Sequence, residues 1–261
     1  SSDLSSPGFA EAYSNLGEAY FQSDEYRKAG ESLRKAIEID PDCFHAYNNL
    51  GTVLRITGDL KGSIDAFRHA IRINPDYGEA HYNLGTVLAG QGRLDEAIEY
   101  YRIALRLDPR SADIRNNLGT VLASRGDISE ALIQFKEALR INPGLADGHN
   151  NLANILAERK NYREAIEHYQ QALNINPDYG EACYNLAYTL DLMGESDRAR
   201  RSYERSLRIN PFNPRAHYNL AIIYLKDNRR ADGLKHLKEA LALDPEFAPA
   251  RRMVEKMGSG E

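Results

Sequence analysis

Seven asparagines stand in strict step along this chain: Asn15, Asn49, Asn83, Asn117, Asn151, Asn185 and Asn219, one every 34 residues, each followed by a leucine. A carboxamide presents a carbonyl acceptor and two N–H donors. A peptide bond offers one of each. A row of such side chains on one face can therefore hold an extended peptide by its main chain, whatever its side chains. Other polar groups recur around each asparagine. The position before it is Ser14, Asn48, Tyr82, Asn116, Asn150, Tyr184 and Tyr218. Three places after it come Glu18, Thr52, Thr86, Thr120, Asn154, Tyr188 and Ile222. An acidic position lies ahead of it at Glu11, Glu79, Asp113, Asp147 and Glu181, interrupted by His45 and Arg215. The candidate peptide-binding residues are the seven asparagines with Tyr82, Thr86, Thr120 and Tyr184. Tyrosines add flat contact area, and the acidic edge favours guests carrying Lys or Arg.

Two plainer readings compete for the same asparagines. Each can bond a backbone group of the next helix, or each can persist from duplication of one ancestral unit. Inside a helix asparagine is worse than alanine by about 0.5–0.7 kcal/mol. Seven such costs invite an explanation, and duplication is itself one.

Other chemistry is not in evidence. No paired-carboxylate, Ser/His/Asp, phosphate-loop or clustered Cys/His pattern appears, so the chain is expected to be no enzyme and to need no metal or cofactor. His81, His149 and His217 share one position in alternate periods, too far apart to meet at one ion, and are expected to pack in the core. Cys43 and Cys183 lie four periods apart; in a stacked array units that distant do not touch, so no internal disulfide is expected. The formal charge of −5 gives no general reason to expect nucleic acid or an anionic membrane. No apolar run approaches a membrane span, and nothing reads as a signal peptide. A soluble protein follows, with the cytoplasm favoured. The chain opens on Ser1 rather than Met; residues 1–9 and 258–261 read as loose ends, and the whole as an excised segment of something longer.

These residues need elements to place them. A fixed period of this size is the signature of a stacked repeat. In the unit starting at Gly78, Ala80, Tyr82, Leu84 and Leu88 fall at helical spacing. Gly90 and Gly92 break that pattern. A second helical run follows through Leu94, Ala97, Ile98, Tyr101, Ala104 and Leu105, and Asp108-Pro109 closes it. The turn between the helices carries Asp24, Gly58, Gly92, Gly126, Lys160, Gly194 and Asn228. Four glycines and an asparagine there suit a backbone with positive φ; Lys160 is a local cost. Small residues at Gly17, Gly51, Gly85, Gly119, Ala153, Ala187 and Ala221 face small ones on the second helix, so the pair can approach closely.

The run aromatic-x-x-Leu-Gly/Ala-x-x-Tyr/Leu, then Ala, Phe/Tyr, Ala and Pro, in register seven times, resembles the tetratricopeptide repeat (TPR). The units are 10–43, 44–77, 78–111, 112–145, 146–179, 180–213 and 214–247, with a polar capping helix over 248–257. The resemblance implies an all-α, right-handed superhelical α-solenoid whose concave side carries the asparagine stripe. In that stripe the chain resembles the TPR arm of O-linked N-acetylglucosamine transferase. The lysines and arginines of TPR clamps for acidic chaperone tails are absent from the matching places Ser14, Glu18, Glu79 and Asn83. RNA-reading helical repeats need phosphate-neutralising charge, which an acidic edge opposes. The expected function is a protein-interaction scaffold holding an extended peptide segment. The alternatives are the substrate arm of a larger enzyme such as a glycosyltransferase, and a self-assembling scaffold that forms homo-oligomers.

Overall fold

The computed structural model describes residues 7–259, and every regular element among them is an α-helix. They fall into two compact units, the first ending at Ile141 and the second beginning at Asn142. In the first unit the helices pair as α1 (Pro7–Gln22) with α2 (Tyr26–Ile39), α3 (Phe44–Ile56) with α4 (Leu60–Ile73), α5 (Gly78–Gly90) with α6 (Leu94–Leu107), and α7 (Ala112–Arg125) with α8 (Ile128–Ile141). In the second, α9 (Ala146–Glu158) pairs with α10 (Tyr162–Ile175), α11 (Gly180–Leu192) with α12 (Ser196–Ile209), and α13 (Pro214–Lys226) with α14 (Arg230–Leu243), and α15 (Ala248–Ser259) follows. The expected loose ends are shorter than read. α1 begins at Pro7, a residue suited to a first helical position because it has no N–H to leave unpaired, and α15 reaches Ser259. The rest of those ends lies outside the described residues.

One local device turns each hairpin. Asp24, Gly58, Gly92, Gly126, Lys160, Gly194 and Asn228 all have positive φ. The N–H after each reaches back five residues, as in Asp59 to the Leu54 carbonyl (2.9 Å) and Asn161 to the Leu156 carbonyl (2.8 Å). This closure satisfies carbonyls that a helix end leaves bare. Lys160 adopts the same left-handed conformation (φ 62°) because the hairpin geometry requires it.

Close approach of the paired helices builds the core. A Cβ added at Gly51 would lie 2.6 Å from the Phe67 ring, and one at Gly119 2.7 Å from the Phe135 ring. Phe67, Tyr101, Phe135, Tyr169 and Tyr203 fill this crossing in successive hairpins and are fully buried. Serines among the small positions find partners: Ser63 Oγ donates to the Gly51 carbonyl (2.7 Å) and Ser206 Oγ to the Gly180 carbonyl (3.1 Å).

The shared histidine position does more than fill space. His81 Nε2 bonds the Pro75 carbonyl (2.9 Å), His149 Nε2 that of Pro143 (3.1 Å) and His217 Nε2 that of Pro211 (3.0 Å). Each ties a first helix to the proline turn before it. Arg115 does the same for Pro109 (3.0 Å) and also donates to Gln134 (3.1 Å). In the second unit His149 Nδ1 meets His168 Nδ1 at 2.9 Å, and His217 Nδ1 meets His236 Nδ1 at 2.9 Å. With Nε2 donating to a carbonyl, Nδ1 of His149 is bare, so His168 supplies the shared proton. A second proton would set two N–H groups head to head. Burial holds His149 below the usual histidine range, and burial followed by the charge of His217 does so for His236.

The sign of the pH dependence follows. A base with a lowered folded pKa is protonated more readily in the unfolded chain. Its stabilisation is whole above the ordinary histidine pKa of about 6.5 and is lost as pH falls below it. The thermal midpoint is expected to drop between pH 7.5 and 5.5. Substituting His149→Arg, His168→Gln, His217→Arg and His236→Gln, after the Arg115–Gln134 pair, should flatten that drop by on the order of a few °C. Equal pH profiles by differential scanning fluorimetry would refute the shared-proton account.

Candidate functional site

The seven asparagines occupy one position on successive first helices, and most are wired to their neighbours. Asn83 Nδ2 donates to Asn48 Oδ1 (3.0 Å) and Asn117 Nδ2 to the Tyr82 hydroxyl (2.9 Å). Asn185 Nδ2 donates to Asn154 Oδ1 (3.0 Å). Asn219 Nδ2 donates to the hydroxyls of Tyr203 (3.1 Å) and Tyr184 (3.4 Å). Asn15 is exposed, and Asn49 and Asn151 are half-buried. Asn83, Asn117 and Asn185 thus spend one N–H on an acceptor of the repeat before, which fixes the amide plane. Each keeps a carbonyl and a second N–H. Asn219 keeps its carbonyl.

The tyrosines and threonines of the stripe are similarly tied. Tyr82 and Tyr184 are half-buried and accept from the asparagine one repeat on. Thr86 Oγ1 donates to the Tyr82 carbonyl (3.0 Å) and accepts from Tyr101 Oη (3.1 Å). Thr120 is exposed, and its Oγ1 donates to the Asn116 carbonyl (3.0 Å).

One part of the stripe is not surface. Ser14, Asn48, Asn116 and Asn150, expected beside the asparagines on the open face, are buried. Asn48 and Asn150 lie in the seam with the next first helix of their own unit, donating to Glu79 (3.0 Å) and Glu181 (3.5 Å). Asn48 shows why a polar residue suits this seam. Its Nδ2 donates to Glu79 Oε1 (3.0 Å) and toward the Tyr77 hydroxyl (3.4 Å), while its Oδ1 accepts from Asn83. Tyr77 in turn donates to Glu79 Oε2 (2.8 Å). Burial and the Glu79 bond push the Tyr77 phenol well up, so it remains a donor at neutral pH. Asn154 plays the matching part in the second unit, accepting from Tyr169 Oη (2.7 Å) and Asn185. Reasoning from sequence placed neither Asn48 nor Asn154 as a hub. The available signal was the tyrosine 29 residues after Asn48 and the acid two further on.

The acidic edge is real and uncompensated. Among the described residues, no ion pair includes Glu11, Glu18, Glu79 or Asp113 in the first unit, nor Asp147, Glu158 or Glu181 in the second. Carboxylates elsewhere pair freely, as Glu130 with Arg102 (2.8 Å) and Asp95 with Arg125 (2.8 Å). Two cavities open on this face in the first unit. One, of about 220 Å³, is walled by Phe21, Leu33 and Val53, with Glu18, Asn49 and Glu79 among its polar groups. The other, of about 660 Å³, runs past Glu11, Asn15, His45 and Asn49. In the second unit a cavity of about 480 Å³ is lined by Tyr169, Tyr188 and Leu192 with Asn154, Glu158, Glu181 and Asn185. Both cysteines are free thiols. Among the described residues no group of three or more His, Cys, Asp or Glu could hold a metal ion, and no helix is long and apolar enough to cross a membrane.

Hairpins in tandem, each closed on its own core and carrying one periodic polar face, define a helical-repeat protein. A family model describing the cilia and flagella-associated protein 70 C-terminal domain matches residues 7–190, and a tetratricopeptide repeat model matches residues 184–248. The chain belongs to the tetratricopeptide repeat family, and through residues 7–190 to the family of that C-terminal domain. No curated protein matches it. Solved structures share the fold. The Cut9–Hcn1 hetero-tetramer of APC/C superposes with a TM-score of 0.78 at 20% identity, over 94% of this chain and 48% of that one, so this chain spans about half its length. YrrB, a TPR protein described as having an unusual peptide-binding site, gives 0.60 at 24% identity over 74% of this chain and 99% of its own. PilF of Pseudomonas aeruginosa gives 0.75 at 23% identity, over 82% and 97%.

Proposed function

We propose that the first-helix face is a peptide-binding surface of a protein-interaction scaffold, and that it takes an extended segment of a partner by its main chain. The observation that carries this reading is the row of half-satisfied amides. Asn83, Asn117 and Asn185 are oriented by a bond to the repeat before and retain an acceptor and a donor. Groups fixed before binding lose little freedom on binding. The peptide-binding site of YrrB, and the place of Cut9–Hcn1 in an APC/C hetero-tetramer, suit the same reading.

The test uses peptides selected against the protein from a random display library. Combined Asn83→Ala, Asn117→Ala and Asn151→Ala substitution is expected to weaken them at least about tenfold, a change of about 1.4 kcal/mol, with helicity retained by circular dichroism. N-methylating alternate backbone amides of the peptide should have a comparable effect. Affinity indifferent to both changes would rule main-chain recognition out.

A further inference from the structure

The two smaller cavities are the same construction. The cavity in the first unit and the one in the second draw on the same register positions four periods apart: Gln22 and Glu158, Leu33 and Tyr169, Asn49 and Asn185, Val53 and Thr189. Each lies between two successive first helices, joined in the first unit by Glu79 of α5, and each has an apolar or aromatic wall and includes one asparagine of the row. Each also carries two carboxylates, Glu18 with Glu79 in the first and Glu158 with Glu181 in the second. No carboxylate matches another across the four periods: Glu18 corresponds to Asn154, Gln22 to Glu158 and His45 to Glu181, while Glu79 comes from α5, one first helix further on, so the paired charge recurs although different positions supply it. No lysine, arginine or histidine lines either cavity, and none of the four carboxylates is in an ion pair among the described residues.

Resting on the peptide-binding reading, we propose that these two cavities are side-chain pockets for a lysine or arginine of the bound segment. The chemistry is that of a long aliphatic stem ending in a cation. In the first unit the half-buried ring of Phe21, backed by the core residues Leu33 and Val53, receives the stem, and Glu18 and Glu79 receive the head. Glu79 is already aimed, held by the Tyr77 hydroxyl at 2.8 Å and Asn48 Nδ2 at 3.0 Å. Both of those donors are neutral, so they orient the carboxylate and leave its charge in place. In the second unit the stem lies along Leu192 and the ring of Tyr188, both about half exposed, and an aromatic face adds attraction for the cation. Glu158 and Glu181 take the head. A guest of acidic side chains meets four unpaired carboxylates here and is repelled. The asparagine of each pocket sits beside the same opening, so main chain and side chain are read at one place.

The experiment uses fluorescein-labelled nine-residue peptide pools, random except for a fixed central residue, and fluorescence polarisation against the full chain. The central residue is lysine, arginine, norleucine, citrulline or glutamate. Norleucine keeps the stem without charge, and citrulline keeps the shape of arginine without charge. The lysine and arginine pools are expected to bind about tenfold tighter than norleucine and citrulline, the size of one charge-assisted hydrogen bond. Combined Glu18→Gln, Glu79→Gln, Glu158→Gln and Glu181→Gln substitution should remove that advantage, so that in the variant the lysine pool binds no tighter than norleucine and the arginine pool no tighter than citrulline. Lysine and norleucine pools that bind alike, or a preference that survives the four substitutions, would overturn the pockets while leaving main-chain recognition standing. Absence of binding by every pool would overturn both.

Discussion

Truncating Phe135 to alanine is expected to destabilise the chain by about 3–5 kcal/mol, the range for removing a buried aromatic ring. Phe135 is 1% exposed. Its ring lies where the side chain of residue 119 would be, which is why that residue is glycine: a Cβ there would stand 2.7 Å from Cε1. The void left by truncation therefore has no side chain opposite to relax into it. The hairpin α7–α8 is the element that loses its crossing. Urea denaturation followed by circular dichroism reads the loss, and hydrogen exchange should place it first at α7–α8. Phe135→Tyr is the matched control. Tyrosine occupies the same register position at Tyr101 and Tyr169, where its hydroxyl bonds a side chain 15 residues earlier, Thr86 and Asn154. The tyrosine variant should melt with the wild type. A truncation costing under about 1 kcal/mol would show that this crossing is not what holds the hairpin.

The second large effect is electrostatic. Asn48→Asp changes one amide to a carboxylate of the same shape at a fully buried position, where Nδ2 now sits 3.0 Å from Glu79 Oε1. The donor to Glu79 disappears and a second negative charge takes its place. Asp still accepts from Asn83, so the loss isolates the like-charge contact. The cost is expected to be on the order of 3 kcal/mol at pH 7, in the range for leaving a buried charge uncompensated. The sign with pH is opposite to that of the histidine pairs. Burial and Glu79 raise the pKa of the new carboxyl above its unfolded value, so the penalty is present above the folded pKa and recedes as pH falls through it, when a proton bridges the two groups. Thermal melts of the variant and wild type at pH 7.5 and 5 should therefore converge at the lower pH. A gap that stays constant would mean the two carboxyl groups do not interact.

Most of the hairpin plan was legible because each of its causes is local and repeats. The apolar spacing from Ala80 to Leu88, the left-handed residue at Gly92 and the stop at Asp108-Pro109 each act over a few residues, and they agree with one another in every period. Lys160 follows the plan against its own preference because the closure from Asn161 to Leu156 outweighs one residue's cost. What the sequence could not supply was the side of each first helix that meets the next one. Helical periodicity gives an angle about an axis. It does not say which angle is covered by a neighbour 31 or 35 residues away, so Asn48 and Asn150 read as open surface and are buried. His168 and His236 were missed for a related reason: they sit on second helices, 19 residues from partners whose position alone looked like core packing. The acidic edge was readable as composition. That it forms two pockets, with Glu158 as a member of one, depends on which helices border the opening.

The bonds between successive first helices have a consequence for how this chain can change length. They span 35 residues from Asn83 to Asn48, from Asn117 to Tyr82 and from Asn219 to Tyr184, and 31 from Asn48 to Glu79 and from Asn185 to Asn154. Every such bond crosses one proline turn. Deleting a single residue there would rotate the following first helix by about 100° and bring the leucine that follows Asn83, Asn117, Asn185 or Asn219, or the alanine that follows Glu79, to its place. Adding or removing one whole cassette returns each asparagine of the row to the place of another asparagine. The molecule is thus written in a reading frame of its own, coarser than the codon, and only insertions that respect that frame preserve it.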